Sequence, residues 1–396
     1  MSRRDTSTDG GRGGARVLLG GMFARVPDQG GPAWVVLEYV LGLLRLGHRV
    51  VLVEPVAESD LVPAGATLAT SENAAYFRRV IRRFGLEDAA ALLRAGTRDT
   101  VGLPHARLLQ AAREADLVID MAGGLTDSAL LEPAPVRLYL DLDPGFTQLW
   151  HEVEGIDMRF DGHTHFATVG LTLGQADSSV PTCGIEWIPT PPPVVLAEWR
   201  FAGRLERNAL TTIANWRSYG SIQANGAFYG QKAHSLRRFL ELPRRTEARF
   251  ELALAIDPGE PRDLAALAEN GWELVDPRAV TATPDSYRRF IQGSHAEFGI
   301  AKSGYVEGRC GWFSDRSACY LACGRPVIAQ DTGFSQVLPT GEGLFAFRTA
   351  DDVAEAIDAL ASNYERHRQA ARTIAEEVFA SDVVLGRLLS RVGIEA

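Results

Sequence analysis

Arg16-Val-Leu-Leu-Gly-Gly21 and Arg49-Val-Val-Leu-Val-Glu54 bracket the first structural unit of this chain. Each is a short, continuous apolar run of the kind that fills a parallel sheet covered on both faces. Between them, residues 33–46 place apolar side chains at helical spacing. Gly47 then stands where helices commonly end in a left-handed residue. Strand, glycine turn, helix and strand make a βαβ unit, and such a unit opens a doubly wound sheet.

The alternation continues outward from there. Strands are predicted at 116–120 and 137–141, with helices at 72–84 and 104–114. Trp187-Ile-Pro-Thr-Pro-Pro-Pro-Val194 interrupts the pattern, because three consecutive prolines fit neither a helix interior nor a central strand. Beyond it the pattern restarts. Strands are predicted at 210–216, 249–255, 272–275, 296–301 and 326–330, and helices at 232–242, 261–270, 314–323, 351–362 and 365–379. The expected fold is α/β, with two Rossmann-like domains facing each other across a cleft. The domains are placed at 16–188 and 201–380, with a proline-rich hinge at 189–200 and a polar tail at 1–15. Residues 381–396 form a helix that returns to the first domain.

A chain of 396 residues is long for one core and natural for two. The hydrophobic share of 46% and charged share of 23% are those of ordinary globular protein. No apolar run is long enough to cross a bilayer, so at most peripheral membrane contact is expected. Cys183, Cys310, Cys319 and Cys323 do not make a disulfide framework, and a cytoplasmic setting follows. A net charge of −9 argues against a dedicated nucleic-acid partner, so none is expected. Of 41 basic residues only Lys232 and Lys302 are lysine, which suggests that each is kept as a compact point charge.

The segment Gly299-Ile-Ala-Lys-Ser-Gly-Tyr-Val-Glu-Gly-Arg-Cys-Gly-Trp-Phe-Ser-Asp-Arg-Ser-Ala-Cys-Tyr-Leu-Ala-Cys-Gly-Arg-Pro-Val-Ile-Ala-Gln-Asp-Thr-Gly-Phe334 carries the chemistry. A Gly- and Ser-rich loop feeds a helix starting near Ser314. The unpaired N–H groups of that helix start form an anion site suited to a diphosphate. Arg316 and Ser317 in its first turn can add charge-assisted hydrogen bonds. Asp331-Thr332-Gly333 forms a second loop at the end of the following strand.

Ala322-Cys-Gly-Arg-Pro-Val-Ile328 resembles the donor half of the large GT-B glycosyltransferase family, whose members carry a Glu-x7-Glu pattern before such a segment. The resemblance covers about 210–379; in the N-terminal half it is one of architecture. Gly311 and Cys319 stand where the two glutamates would be, which marks a divergent branch. The resemblance implies a transferase that moves a sugar from a nucleotide-diphosphate donor, a UDP- or GDP-sugar, to a small-molecule or glycan acceptor. It implies no cofactor and no metal. The donor residues it implies are Lys232, Lys302, Gly311, Ser314, Asp315, Arg316, Ser317, Asp331, Thr332 and Gly333. Two other outcomes share the architecture: a nucleotide-sugar epimerase, and a non-catalytic binder of nucleotide-sugar or glycan.

Remaining candidates follow from position. Gly30-Gly31-Pro32 enters a helix after the first loop, and the resemblance to the glycosyltransferases implies Gly30, Gly31 and Trp34 as acceptor contacts. Asp141-Leu-Asp143 ends a strand at the cleft, where a turn or a substrate hydrogen bond suits it better than a metal. Asp143 and His165 are the expected bases if configuration inverts. Asp161-Gly-His163-Thr-His165 and the Cys310, Cys319, Cys323 group lack a matching third or fourth ligand for zinc. Trp312-Phe313 either stack on a base or pack under the sheet.

Overall fold

The computed structural model describes residues 14–395. Of the expected tail, residues 1–13 lie outside the described residues, as does residue 396. Ala15, assigned to that tail, belongs to the fold instead. Its amide donates to His48 Nδ1 at 3.0 Å and its carbonyl accepts from the Arg49 amide at 2.9 Å.

The described residues form two large sheets and one small hairpin. The first sheet contains β1 (Arg16–Gly20), β2 (Arg49–Val56), β3 (Ala90–Arg94), β4 (Thr100–Gly102), β5 (Leu117–Met121), β6 (Val136–Asp141), β7 (His165–Thr168) and β8 (Trp187–Pro189), in the order β4-β3-β2-β1-β5-β6-β7-β8. Only the β3–β4 pair at one edge is antiparallel. The second sheet contains β9 (Arg207–Asn215), β12 (Phe250–Ala255), β13 (Glu273–Val275), β14 (Ser294–Gly299), β15 (Val327–Gln330) and β16 (Leu344–Phe347), in the order β13-β12-β9-β14-β15-β16. All its pairings are parallel. Between the two sheets, β10 (Ile222–Ala224) and β11 (Ala227–Tyr229) make an antiparallel hairpin turned at Asn225 and Gly226, both in the left-handed region.

The central strands are buried along nearly their whole length, as the continuous apolar runs require. Helix Gly30–Arg45 lies against the first sheet and exposes little of its apolar stripe, because the C-terminal helix Ser381–Arg391 packs across it. Gly42 permits that crossing: a β-carbon there would come within 2.5 Å of Leu385 Cδ1.

The chain passes between the halves twice, and the two passages touch. The Val194 amide donates to the Phe379 carbonyl at 2.7 Å, and the Ser381 amide donates to the Val194 carbonyl at 2.8 Å. One buried apolar cluster runs through both halves at this point and includes Leu37, Trp199, Tyr287, Phe313, Phe379 and Leu385. Among the described residues no helix is long and apolar enough to cross a membrane, and all four cysteines are free thiols.

Candidate functional site

Between the halves lies a cavity of about 870 Å³. Leu142 and Val169, just past β6 and β7, face it from one side. Residues 213–215 of β9 and Ala255 of β12 face it from the other. The cavity therefore sits at the carboxyl ends of both sheets, where parallel α/β sheets leave a crevice for ligands.

Its C-terminal wall is cationic. The helix Asp315–Ala322 starts at the cavity, and Arg316 in its first turn is buried there. Arg316 Nε donates to Glu297 Oε1 at 2.6 Å, and Nη1 donates to the Ile213 carbonyl at 2.7 Å. Burial opposes its charge, but the Glu297 carboxylate outweighs this and raises its pKa. Lys232, the first residue of helix Lys232–Leu236, sits 5.7 Å from the centre of the Trp312 ring and makes no hydrogen bond or ion pair among the described residues. Burial, followed by the charges of Arg316 and Lys302, pushes its pKa down to about 7. Arg278 stands exposed at the rim. Asp315 is the one acid on this wall; burial raises its pKa, opposed by the charge of Arg316.

The N-terminal wall is apolar and acidic. Met22, Val26 and Val62 line it together with Trp34, Glu38 and Tyr39. Glu38 is buried, accepting from the Val195 amide and from the Trp199 indole N–H, so it fastens the Gly30–Arg45 helix to the connector. Burial lifts its pKa to about 8 against those two hydrogen bonds.

The structure brings together only some of the residues read from sequence. Lys232, Asp315, Arg316, Gly31 and Trp34 face the cavity. Ser314 and Ser317 line a much smaller recess behind Arg316. Gly30 turns away from the cavity, and its Cα packs on Thr283. Gly311, Asp331, Thr332 and Gly333 do not line the cavity either. Gly311 accepts from the Leu171 amide at 3.3 Å and adopts φ +73°, so the loop closes against 171–172 of the other half. Thr332 Oγ1 donates to the Trp312 carbonyl at 2.6 Å. Asp331 holds its own turn, accepting from the Gly333 amide and from Ser335 Oγ, and pairs with Arg348 at 2.7 Å.

Three expectations need correction. Lys302 does not reach the cavity: its ammonium is bound by Asp143 at 3.0 Å and contacts the Tyr219 and Tyr305 hydroxyls. Asp143 is thereby occupied and is not a free base, and Asp141 is consumed by Thr147, Gln148 and Thr168. His165 begins β7, so it lies at the end of the sheet opposite the cavity, where Nδ1 meets Thr164 Oγ1 at 2.9 Å. His163 turns elsewhere, with Nε2 3.3 Å from Asp120 Oδ2. Among the described residues no group of three His, Cys, Asp or Glu side chains is arranged to hold a metal ion.

Sequence reasoning missed Glu38, Tyr287 and Arg278. Glu38 had a signal, being the single charge in the apolar run Ala33-Trp-Val-Val-Leu-Glu-Tyr-Val. Tyr287 sits on helix Pro284–Gly293, which Thr283 caps and Pro284 opens, a pair of start signals plainly present in the sequence. Arg278 carried none.

Residues 236–383 match the family described as "Glycosyl transferase-like". No curated protein sequence matches the chain. Among solved structures, an alpha-glucosyltransferase in complex with UDP-glucose and DNA containing an abasic site superposes with a TM-score of 0.57. It has 11% identity, over 96% of this chain and 100% of the other. An alpha-glucosyltransferase in complex with UDP gives 0.58 at 12% identity, over 95% and 99%. Anabaena HepE in complex with UDP and glucose gives 0.54 at 10% identity, over 96% and 99%. The fold is thus that of the GT-B glycosyltransferases. The exclusion of nucleic acid, drawn from the net charge, does not stand: a chain of this fold has been solved holding DNA beside UDP-glucose. Net charge sums the whole surface and says nothing of one local patch.

Proposed function

We propose that the chain transfers a hexosyl group from a UDP-sugar to an acceptor hydroxyl, with the donor diphosphate held by Lys232 and Arg316. The observation that carries this reading is the unpaired Lys232 ammonium beside Arg316 at the start of helix Asp315–Ala322, facing a cavity of about 870 Å³. Two cations and the first amides of a helix are what a diphosphate needs. The solved chains of this fold that hold UDP support the choice of nucleotide.

In the reaction the acceptor oxygen bonds to the anomeric carbon, and the anomeric carbon–phosphate oxygen bond breaks with its electron pair on the nucleoside diphosphate. The hydroxyl proton passes to the departing diphosphate or to solvent. Negative charge grows on the diphosphate as that bond breaks, so Lys232 and Arg316 stabilise the transition state more than the ground state. Asp315, on the same wall and held by the first amides of its own helix, is placed to accept hydrogen bonds from the sugar hydroxyls.

The test is a panel of UDP-, GDP-, ADP- and TDP-sugars, read by thermal shift and by release of free nucleoside diphosphate. A rise in Tm with UDP-sugars and release of UDP on addition of an acceptor are expected. Interconversion of sugar isomers would make the chain an epimerase, and binding without turnover a non-catalytic binder.

A further inference from the structure

Met22, Val26 and Val62 expose 43%, 52% and 37% of their surface, and all three line the same cavity. Exposed large apolar side chains normally scatter singly. Here three gather on one wall, from two separate loops, with Pro27 and Pro32 beside them.

The wall is built and held in place. Asn73 is fully buried at the start of helix Glu72–Arg83, and its amide donates to the carbonyls of Ala24, Arg25 and Asp60 at 2.9–3.2 Å. Its carbonyl accepts from the Val62 amide at 2.8 Å. Glu54, also buried, accepts from the Ala24 and Arg25 amides at 2.6 and 2.9 Å. Two polar side chains inside the domain thus hold both loops so that their apolar tips face the cavity instead of the core. Leaving that surface wet costs about 25 cal/mol per Å², a cost removed when an apolar group covers it. On this side the cavity is lined by the acids Asp28, which pairs with Arg79 at 2.6 Å, Glu72 and buried Glu38, whereas Lys232, Arg316 and Arg278 lie opposite together with Asp315.

We propose that this wall is an acceptor subsite for a compact apolar alcohol or phenol, one whose ring lies on Met22, Val26 and Val62 while its hydroxyl points at the donor. The assignment rests on the donor reading above for its orientation, but the subsite itself stands on the wall. Pockets for one drug-sized ligand span about 300–1,000 Å³. A cavity of about 870 Å³ therefore has room for a nucleotide sugar with a small acceptor beside it.

The experiment uses 2-naphthol as probe. Its fluorescence titration against the full chain with UDP present reports binding, and UDP release from the best UDP-sugar reports transfer. Binding, and UDP release above the acceptor-free rate, are expected. Val26→Asp and Val62→Asp change exposed positions and leave the fold intact, which thermal unfolding checks. Each should raise KM for 2-naphthol about tenfold, with kcat changed much less. Failure of 2-naphthol to bind, or a KM in both variants unchanged from that of the parent, overturns the subsite. Transfer to maltotetraose, to a DNA duplex or to a long-chain alcohol in phosphatidylcholine vesicles, with none to 2-naphthol, overturns it as well. If no nucleotide sugar binds, the donor reading fails alone. Naphthol binding that is lost in Val26→Asp still supports the apolar subsite, and binding that the variant retains overturns it.

Discussion

Lys302 and Asp143 join the two halves of the molecule through one ion pair, Nζ lying 3.0 and 3.1 Å from the two carboxylate oxygens. Asp143 follows β6 of the first sheet and Lys302 follows β14 of the second, and the hydroxyls of Tyr219 and Tyr305 close around both. Burial lowers the pKa of Lys302, and the Asp143 carboxylate opposes that shift. Removing one partner leaves the other largely buried without its counter-charge. Lys302→Met is expected to cost about 3–5 kcal/mol in urea unfolding, and Lys302→Met with Asp143→Leu distinctly less. Equal costs would show that the pair does not act as a unit.

Lys232 gives the cleft a pH response. Its pKa in the folded chain is about 7, against an ordinary value of 10.5. Between those values the free protein holds a neutral amine, while a bound diphosphate favours the ammonium. UDP binding should therefore take up a proton at pH 8, and affinity should fall as pH rises from 7. The linked stability runs the other way, because above pH 7 the unfolded chain binds the extra proton and folding gains with pH. Calorimetry in two buffers of different ionisation enthalpy measures the uptake, and Lys232→Met should abolish it.

Arg316 and Lys232 separate under mutation. Lys232→Ala removes an unpaired charge, so UDP affinity should fall about ten- to a hundredfold with little loss of stability. Arg316→Ala should weaken UDP binding as well, yet it also strands buried Glu297, whose Oε2 already lacks a partner. A drop in Tm is expected for Arg316→Ala alone, and paired thermal scans and UDP titrations distinguish the two.

Gly30 marks a close approach between halves. A β-carbon there would lie 2.3 Å from the Thr283 carbonyl oxygen, a backbone atom that cannot swing away. Gly30→Ala should force the Gly30–Arg45 helix off the 281–287 segment, costing about 1–3 kcal/mol and lowering turnover. Thermal unfolding and kcat are the readouts, and a variant equal to the parent in both would refute the close contact.

His165→Ala should do almost nothing. The ring meets Thr164 at the far end of β7 from the cavity, so stability should change by less than about 0.5 kcal/mol and the rate by less than twofold. A tenfold loss of activity would return it to the list of candidate bases.

What was legible in the sequence follows the range over which each signal acts. The β1 and β2 runs were plain because strands covered on both faces carry unbroken apolar stretches. Helix Asp315–Ala322 was expected within a residue of its start, since the Gly- and Ser-rich loop before it is a local signal. β3 escaped notice because Ala90 and Ala91 lack the branched side chains that mark strands. Helix Ser303–Gly308 escaped because glycine recurs within it. The site partners were hidden for a different reason. Glu297 and Arg316 are 19 residues apart and Asp143 and Lys302 159, separations over which no periodic pattern speaks. A rare lysine signalled importance in both cases, but only the tertiary fold sends Lys232 to the cavity and Lys302 into a clasp.

The side-by-side passages at Val194 and 379–381 constrain how the halves can move. Two covalent tethers hydrogen-bonded to each other resist torsion, because twisting one half would shear them apart. Away from them the halves meet again at Lys302 and Asp143, at Gly30 and Thr283, and where the Leu171 and Thr172 amides bond the Gly311 and Cys310 carbonyls, so widening the cavity would have to break those contacts while the paired passages hold.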